Sequence, residues 1–163
     1  MGLNFIIRFY YKGKGKLGFT DFFTFGDFKI VLGGTDKQNR AAVENKNLDI
    51  LLSPELIRGK DFMHSRDSGL NHVLCSLAHR NDVAIGFNFR DALKSDNRGL
   101  ILGKMMQNVR LCRKYKVRMV VISGACNEAE LKSAKDLFSF GRVIGMTPIE
   151  AKHAVMFTKE KVK

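Results

Sequence analysis

Four short apolar runs, each cut off by small or polar residues, constrain the fold of this chain more than any other feature. Lys29 to Gly33 stops at Gly33-Gly34, Leu48 to Leu52 at Ser53-Pro54, Val83 to Phe89 at Arg90, and Val117 to Ile122 at Ser123-Gly124. Unbroken apolar runs of this length, rather than alternating ones, are the mark of strands buried on both faces, as in a parallel sheet.

Between the runs lie helical patterns. Leu70, Val73, Leu74, Leu77 and Ala78 recur at helix spacing, predicting a helix that begins near Ser68 with those residues on its core side. Leu102, Met105, Met106, Val109 and Cys112 predict a second, and Leu137, Phe138, Gly141 and Ile144 a third. Thr147-Pro148-Ile149-Glu150 is a capping box with proline at the first helical position, so a last helix is expected from about Pro148 to Phe157.

Strand and helix alternate, and this implies an α/β fold with a parallel sheet covered by helices, either doubly wound or curled into a barrel. The residues alone are compatible with both. With 163 residues and 45% hydrophobic content, one compact domain is expected. Its βα core would cover residues 29–157, after an atypical segment 1–28 rich in Phe, Gly and Lys and before a frayed basic tail at 158–163.

The charge balance is lopsided: 28 Lys and Arg stand against 16 Asp and Glu, a formal net charge of +12. That excess suits a polyanion, and nucleic acid comes first because each cation set against a phosphate releases condensed counterions. A membrane surface is disfavoured, since the basic residues are interleaved with acids and no stretch approaches spanning length. The opening LNFIIRFYY is short and lacks a small-residue cleavage site, so it reads as a strand and the protein is expected in the cytoplasm. Cys75, Cys112 and Cys126 suit neither a disulfide framework nor a zinc knuckle and are expected to be buried or idle thiols.

Few motifs carry chemistry. Gly13-Lys14-Gly15-Lys16-Leu17-Gly18 formally satisfies GxGxxG, but too few residues follow before Gly26 for a crossover helix, so a basic loop is the better reading. His72, Cys75 and His79 fall on one side of a helix, away from the expected core face and without a fourth ligand nearby, which reads as a solvated stripe rather than a metal site. No nucleophile or acid/base pair can be named. Arg58, Lys60 and Arg66 converge on the predicted helix start, where free N–H groups would suit a phosphate; the alternative is that Asp67 or Ser68 caps the helix and the cations are solvated. Asn39-Arg40 and Asn88 with Arg90 likewise place polar groups after strands, the edge where α/β folds bind ligands.

Several segments resemble the archaeal ribonuclease P protein component 3 family. They are Gly33-Gly34 with Asn39 to Glu44, Leu48 to Leu51, Ser53 to Leu56, Arg66 to Leu74, Val83 to Leu93, Asn108 to Tyr115, Ser123-Gly124-Ala125 and Gly141 to Met146. The likeness covers roughly residues 29–155. Two departures stand out: Ile57 and Phe62-Met63-His64-Ser65 interrupt a segment that is continuous in the family, and about 28 poorly matching residues stand where relatives begin with two βα units, so the barrel is either incomplete or replaced at its start.

The resemblance implies a TIM-barrel-like fold, incomplete or replaced at its N-terminus, and a non-catalytic subunit with no metal or cofactor of its own. The catalytic RNA would use magnesium to remove the 5′ leader from precursor tRNA, and the chain would pair with protein component 2. Under this reading Arg40, Arg58, Lys60, Arg66, Arg90, Lys94 and Arg98 supply phosphate contacts, and Ser68, Gly69 and Ser123 line the strand-end edge. Arg110, Arg113 and Lys114 would meet the partner subunit. The competing reading is a stand-alone metal-dependent phosphoesterase or nuclease on the same barrel.

Overall fold

A computed structural model describes residues 28–57, 59, 61, 63, 64, 66–125 and 130–157. The Phe-rich N-terminal segment with its glycine motif, the basic tail, Cys126, Arg58 and Lys60 lie outside these residues.

Ten elements follow one another: β1 (Ile30–Leu32), α1 (Asp36–Glu44), β2 (Ile50–Leu52), α2 (His72–Asn81), β3 (Ala84–Asn88), α3 (Phe89–Lys94), α4 (Arg98–Tyr115), β4 (Met119–Ile122), α5 (Ala134–Val143) and α6 (Pro148–Val155). The strands form one parallel sheet in the order β1-β2-β3-β4, with Leu51 between Val31 and Ile85, and Gly86 opposite Val120. Doubly wound sheets reverse strand order at a switch point. This one never does, which makes it an open, barrel-like (β/α) sheet with β1 and β4 at its edges among the described residues.

Strand side chains alternate between two cores. Leu51, Ile85, Phe87 and Val121 face the helices and pack with Leu74, Met105, Val109 and Leu137. Ile50, Leu52, Ala84, Val120 and Ile122 face the other way, as the inner wall of a barrel does, and meet Phe28 and Phe157, whose rings lie 5.8 Å apart. All four predicted strands are present. β1 is the least buried, with Val31 and Leu32 about two-fifths exposed at the sheet edge.

Several boundaries differ from the sequence reading. The third strand ends at Asn88, not Phe89, because the Asn88 side chain accepts from Arg90 N at 3.1 Å and turns the chain into α3. α2 begins at His72 instead of near Ser68: Asn71, not Asp67 or Ser68, caps it by accepting from Leu74 N at 2.9 Å. Its buried face is Leu74, Cys75 and Ala78, while Val73 is 42% exposed. Cys75 therefore lies in the core with Cys112, and the expected His72-Cys75-His79 stripe does not form; only the two histidines are exposed. α1 escaped notice because its nine residues bury just Asn39, Ala42 and Val43. α6 has the expected box, with Glu150 Oε2 accepting from Thr147 N at 2.7 Å, but it ends at Val155.

Candidate nucleic-acid interface and the polar core beneath it

At the C-terminal ends of β1 to β3 the chain turns sharply, and buried side chains absorb the backbone groups that the sheet leaves unpaired. Asn39 does this from α1: its Oδ1 accepts from Gly34 N at 2.8 Å and its Nδ2 donates to the Gly69 carbonyl at 3.0 Å. Gly69 has φ 76°, and a side chain there would strike the Pro54 carbonyl.

A second polar group lies deeper. Asn108 Nδ2 donates to Glu55 Oε2 and to the Ser68 carbonyl, each at 2.9 Å, and Glu55, Ser68, Asn108 and Lys104 are all at most 1% exposed. Lys104 Nζ donates to the Gly59 carbonyl at 2.6 Å and lies 3.8 Å from Asp61, whose Oδ1 accepts from Asp67 N. Lys104 thereby ties the 59–67 loop to α4. Burial pushes Glu55 up to about 8, more than its bond from Asn108 and the charge of Lys104 pull it down. Burial also raises Asp91, against the opposing bond from Ser53 Oγ at 2.6 Å. Glu55 Oε1, Ser68 Oγ and Asn108 Oδ1 have no hydrogen-bond partner.

The sequence missed this group, although a signal existed. Lys104 and Asn108 are one helical turn apart on the buried face of α4, beside Ile101, Met105, Val109 and Cys112. Polar residues inside an apolar stripe mark a satisfied interior network or a site.

The predicted contact residues fall into three groups. Ser68, Gly69 and Ser123 are buried, and Ser123 also lines the cavity described below. Arg66 is exposed with its guanidinium against Gly103 of α4, and at the helix start Asn71 takes the Leu74 N–H. Arg40 lies exposed on α1, 2.8 Å from Glu44, and Arg98 donates to the Leu93 carbonyl at 3.1 Å.

Arg90 and Lys94 come together. Arg90 Nε stands 3.2 Å from Glu130 Oε2 and Lys94 Nζ 3.5 Å from Glu130 Oε1. They border an open cavity of about 180 Å³ lined also by Phe89, Leu93, Ser123 and Lys132, whose ammonium lies 6.0 Å over the Phe89 ring. Glu130 and Lys132 carried no signal in the sequence, because they follow β4 whereas Phe89, Arg90 and Lys94 follow β3.

Of the expected partner contacts, Arg110 and Lys114 are exposed on α4. Arg113 is also clasped within the chain: it donates to both Glu150 oxygens, at 2.8 and 2.6 Å, and to the Gly145 carbonyl at 2.8 Å. The guanidinium holds Glu150 down at about 2. This pins α4 to α6 while Arg113 itself stays exposed.

Among the described residues no three His, Cys, Asp or Glu side chains gather to hold a metal ion, and no helix is long and apolar enough to cross a membrane.

Residues 24–162 match the family described as RNase P subunit p30. Ribonuclease P protein component 3 of Methanosarcina acetivorans is 37% identical over 138 residues, 83% of this chain and 54% of that protein. The Methanococcus maripaludis protein of the same name is 38% identical, over 83% of this chain and 56% of its own length. A chain in the cryo-EM structure of archaeal Ribonuclease P with mature tRNA superposes with a TM-score of 0.67 at 37% identity, covering 77% of this chain and 52% of that one. The chain thus spans about half the length of the curated relatives it matches. With the family match running through every described element and relatives of this identity over four-fifths of its length, the chain belongs to the RNase P subunit p30 family.

Proposed function

We propose that the chain acts as a protein subunit of ribonuclease P in the cytoplasm. In this role it supports the catalytic RNA during removal of the 5′ leader from precursor tRNA and does not cut RNA itself. The observation that carries this reading is the likeness, at 37% identity, to a chain of an archaeal Ribonuclease P solved with mature tRNA.

The rim is consistent with a holding role. Exposed Arg40, Arg66 and Arg98, with Arg90 and Lys94 around the cavity, present positive charge, whereas half-buried Asp91 and buried Glu55 are turned inward to Ser53 and Asn108. Such cations replace counterions around a folded RNA without reading its sequence. Arg58 and Lys60 belong to the same proposal by their place in the sequence. Arg110 and Lys114 are offered to protein component 2, and magnesium is assigned to the catalytic RNA.

Reconstitution tests this. The chain added with protein component 2 should lower the magnesium that the catalytic RNA needs to process precursor tRNA. An unchanged requirement would overturn the proposal. Cleavage of precursor tRNA by the chain with magnesium or manganese, but no RNA subunit, would favour the phosphoesterase reading instead.

A further inference from the structure

We infer that the cavity between α3 and the segment after β4 receives one unstacked RNA nucleotide, its base against Phe89 and its phosphate replacing the Glu130 carboxylate between Arg90 and Lys94. This rests on the proposed ribonuclease P role and names the surface that would grip the RNA.

The first support is the charge arrangement. Among the described residues, Arg90, Lys94 and Lys132 border the same cavity as one carboxylate, Glu130. Arg90 approaches one of its oxygens and Lys94 the other, an arrangement that two oxygens of a phosphate would satisfy equally well. At 3.2 and 3.5 Å both contacts are longer than the usual 2.7–2.9 Å of a tight charge-assisted bond, and Lys94 is 63% exposed. Glu130 therefore holds the two cations loosely, in a place that a stronger anion can take.

The second support is the aromatic floor. Phe89 is half-buried and lines the cavity, while its ring is fixed by an edge-on contact with Phe140 at a centroid distance of 4.9 Å. Lys132 lies over the same ring. An aromatic ring anchored on one side and bordered by cations is how single-stranded nucleic acid is commonly held, with sequence-tolerant stacking beside phosphate contacts. A carboxylate from a protein partner would engage the cations but would leave the ring and the cavity unused.

The experiment uses the full chain with protein component 2 and the catalytic RNA, measuring RNA affinity against salt. The double variant Arg90→Ala/Lys94→Ala should weaken binding about tenfold and shallow the salt slope by about one unit, as expected for the single phosphate the two cations share. Glu130→Gln should tighten binding about threefold by removing the competing anion. Asp49→Asn removes the same charge at the opposite end of β2 and should change nothing. Phe89→Leu keeps an apolar side chain against Phe140 and should weaken binding severalfold at temperatures well below its slightly lowered melting point, where the chain remains folded.

If wild-type chain binds the RNA but the double variant keeps its slope, the cavity is not the site and the inference falls while the ribonuclease P role stands. Failure of the wild-type chain to bind the RNA at all would bring down both. Equal tightening by Asp49→Asn would reduce the Glu130 effect to net charge and overturn its assignment. Loss of affinity for protein component 2, with RNA affinity kept, would make the occupant an acidic protein side chain and overturn the inference.

Discussion

Asn108 donates from Nδ2 to Glu55 Oε2 across 2.9 Å in an interior where neither side chain exceeds 1% exposure, and the same nitrogen donates to the Ser68 carbonyl. One amide on α4 thereby satisfies groups on both sides of the loop that leaves β2. Asn108→Ala strands both acceptors in a dry site and should cost about 3 kcal/mol in urea unfolding. A loss under about 1 kcal/mol would mean that water takes over both bonds.

Stability should fall as pH rises because of Glu55. The unfolded carboxyl releases its proton near 4.5, whereas the folded one keeps it until about 8, so folding is favoured most below 4.5 and progressively less up to 8. The full span is on the order of 5 kcal/mol. Asp91, also raised by burial, adds a contribution of the same sign. Glu55→Gln should flatten the urea midpoint between pH 5 and 8 relative to wild type, and parallel pH profiles would show that Glu55 is ionised in the folded chain.

The Arg113 clasp has the opposite dependence. Glu150 is depressed to about 2, so its contribution is present above 4.5 and is lost as pH falls through 2. Glu150→Gln should destabilise the chain by about 1 kcal/mol at pH 7, a figure reduced for partial solvent exposure, and by progressively less in acid. Arg113→Ala should lower the melting temperature but leave affinity for protein component 2 unaltered. A weakened complex from a chain of undiminished stability would place Arg113 on the partner surface.

Arg66 supplies a simpler test of the rim. It is exposed and lies against Gly103, so Arg66→Ala removes a cation at little cost to folding. RNA affinity should fall at every sequence, and the salt slope should become shallower by about one unit. An unchanged slope would class Arg66 as an ordinary surface residue.

What the sequence disclosed follows from which interactions are local. The strands were legible because Ile50 to Leu52 and Ala84 to Asn88 are buried on both faces, which forces unbroken apolar runs. The body of α4 and the start of α6 were legible from periodicity and capping chemistry. α1 and α3 were not: α1 offers two apolar residues to the core, and α3 has six residues in all. The orientation of α2 was misjudged because Cys75, taken for a would-be ligand, serves as a small hydrophobe, while Val73 turns outward. Arg90 and Lys94 were anticipated as contacts, but the cavity was not. Its second wall comes from a different βα unit, and no sequence window contains both.

The order β1-β2-β3-β4 has a consequence for how the molecule comes into being. No strand must wait for one made later to slot in between it and its neighbour. Each finds its partner already in place, and the sheet lengthens from one margin in the direction of synthesis. Such a sheet admits another repeat at either margin without parting any pair already made, as a row of tiles does.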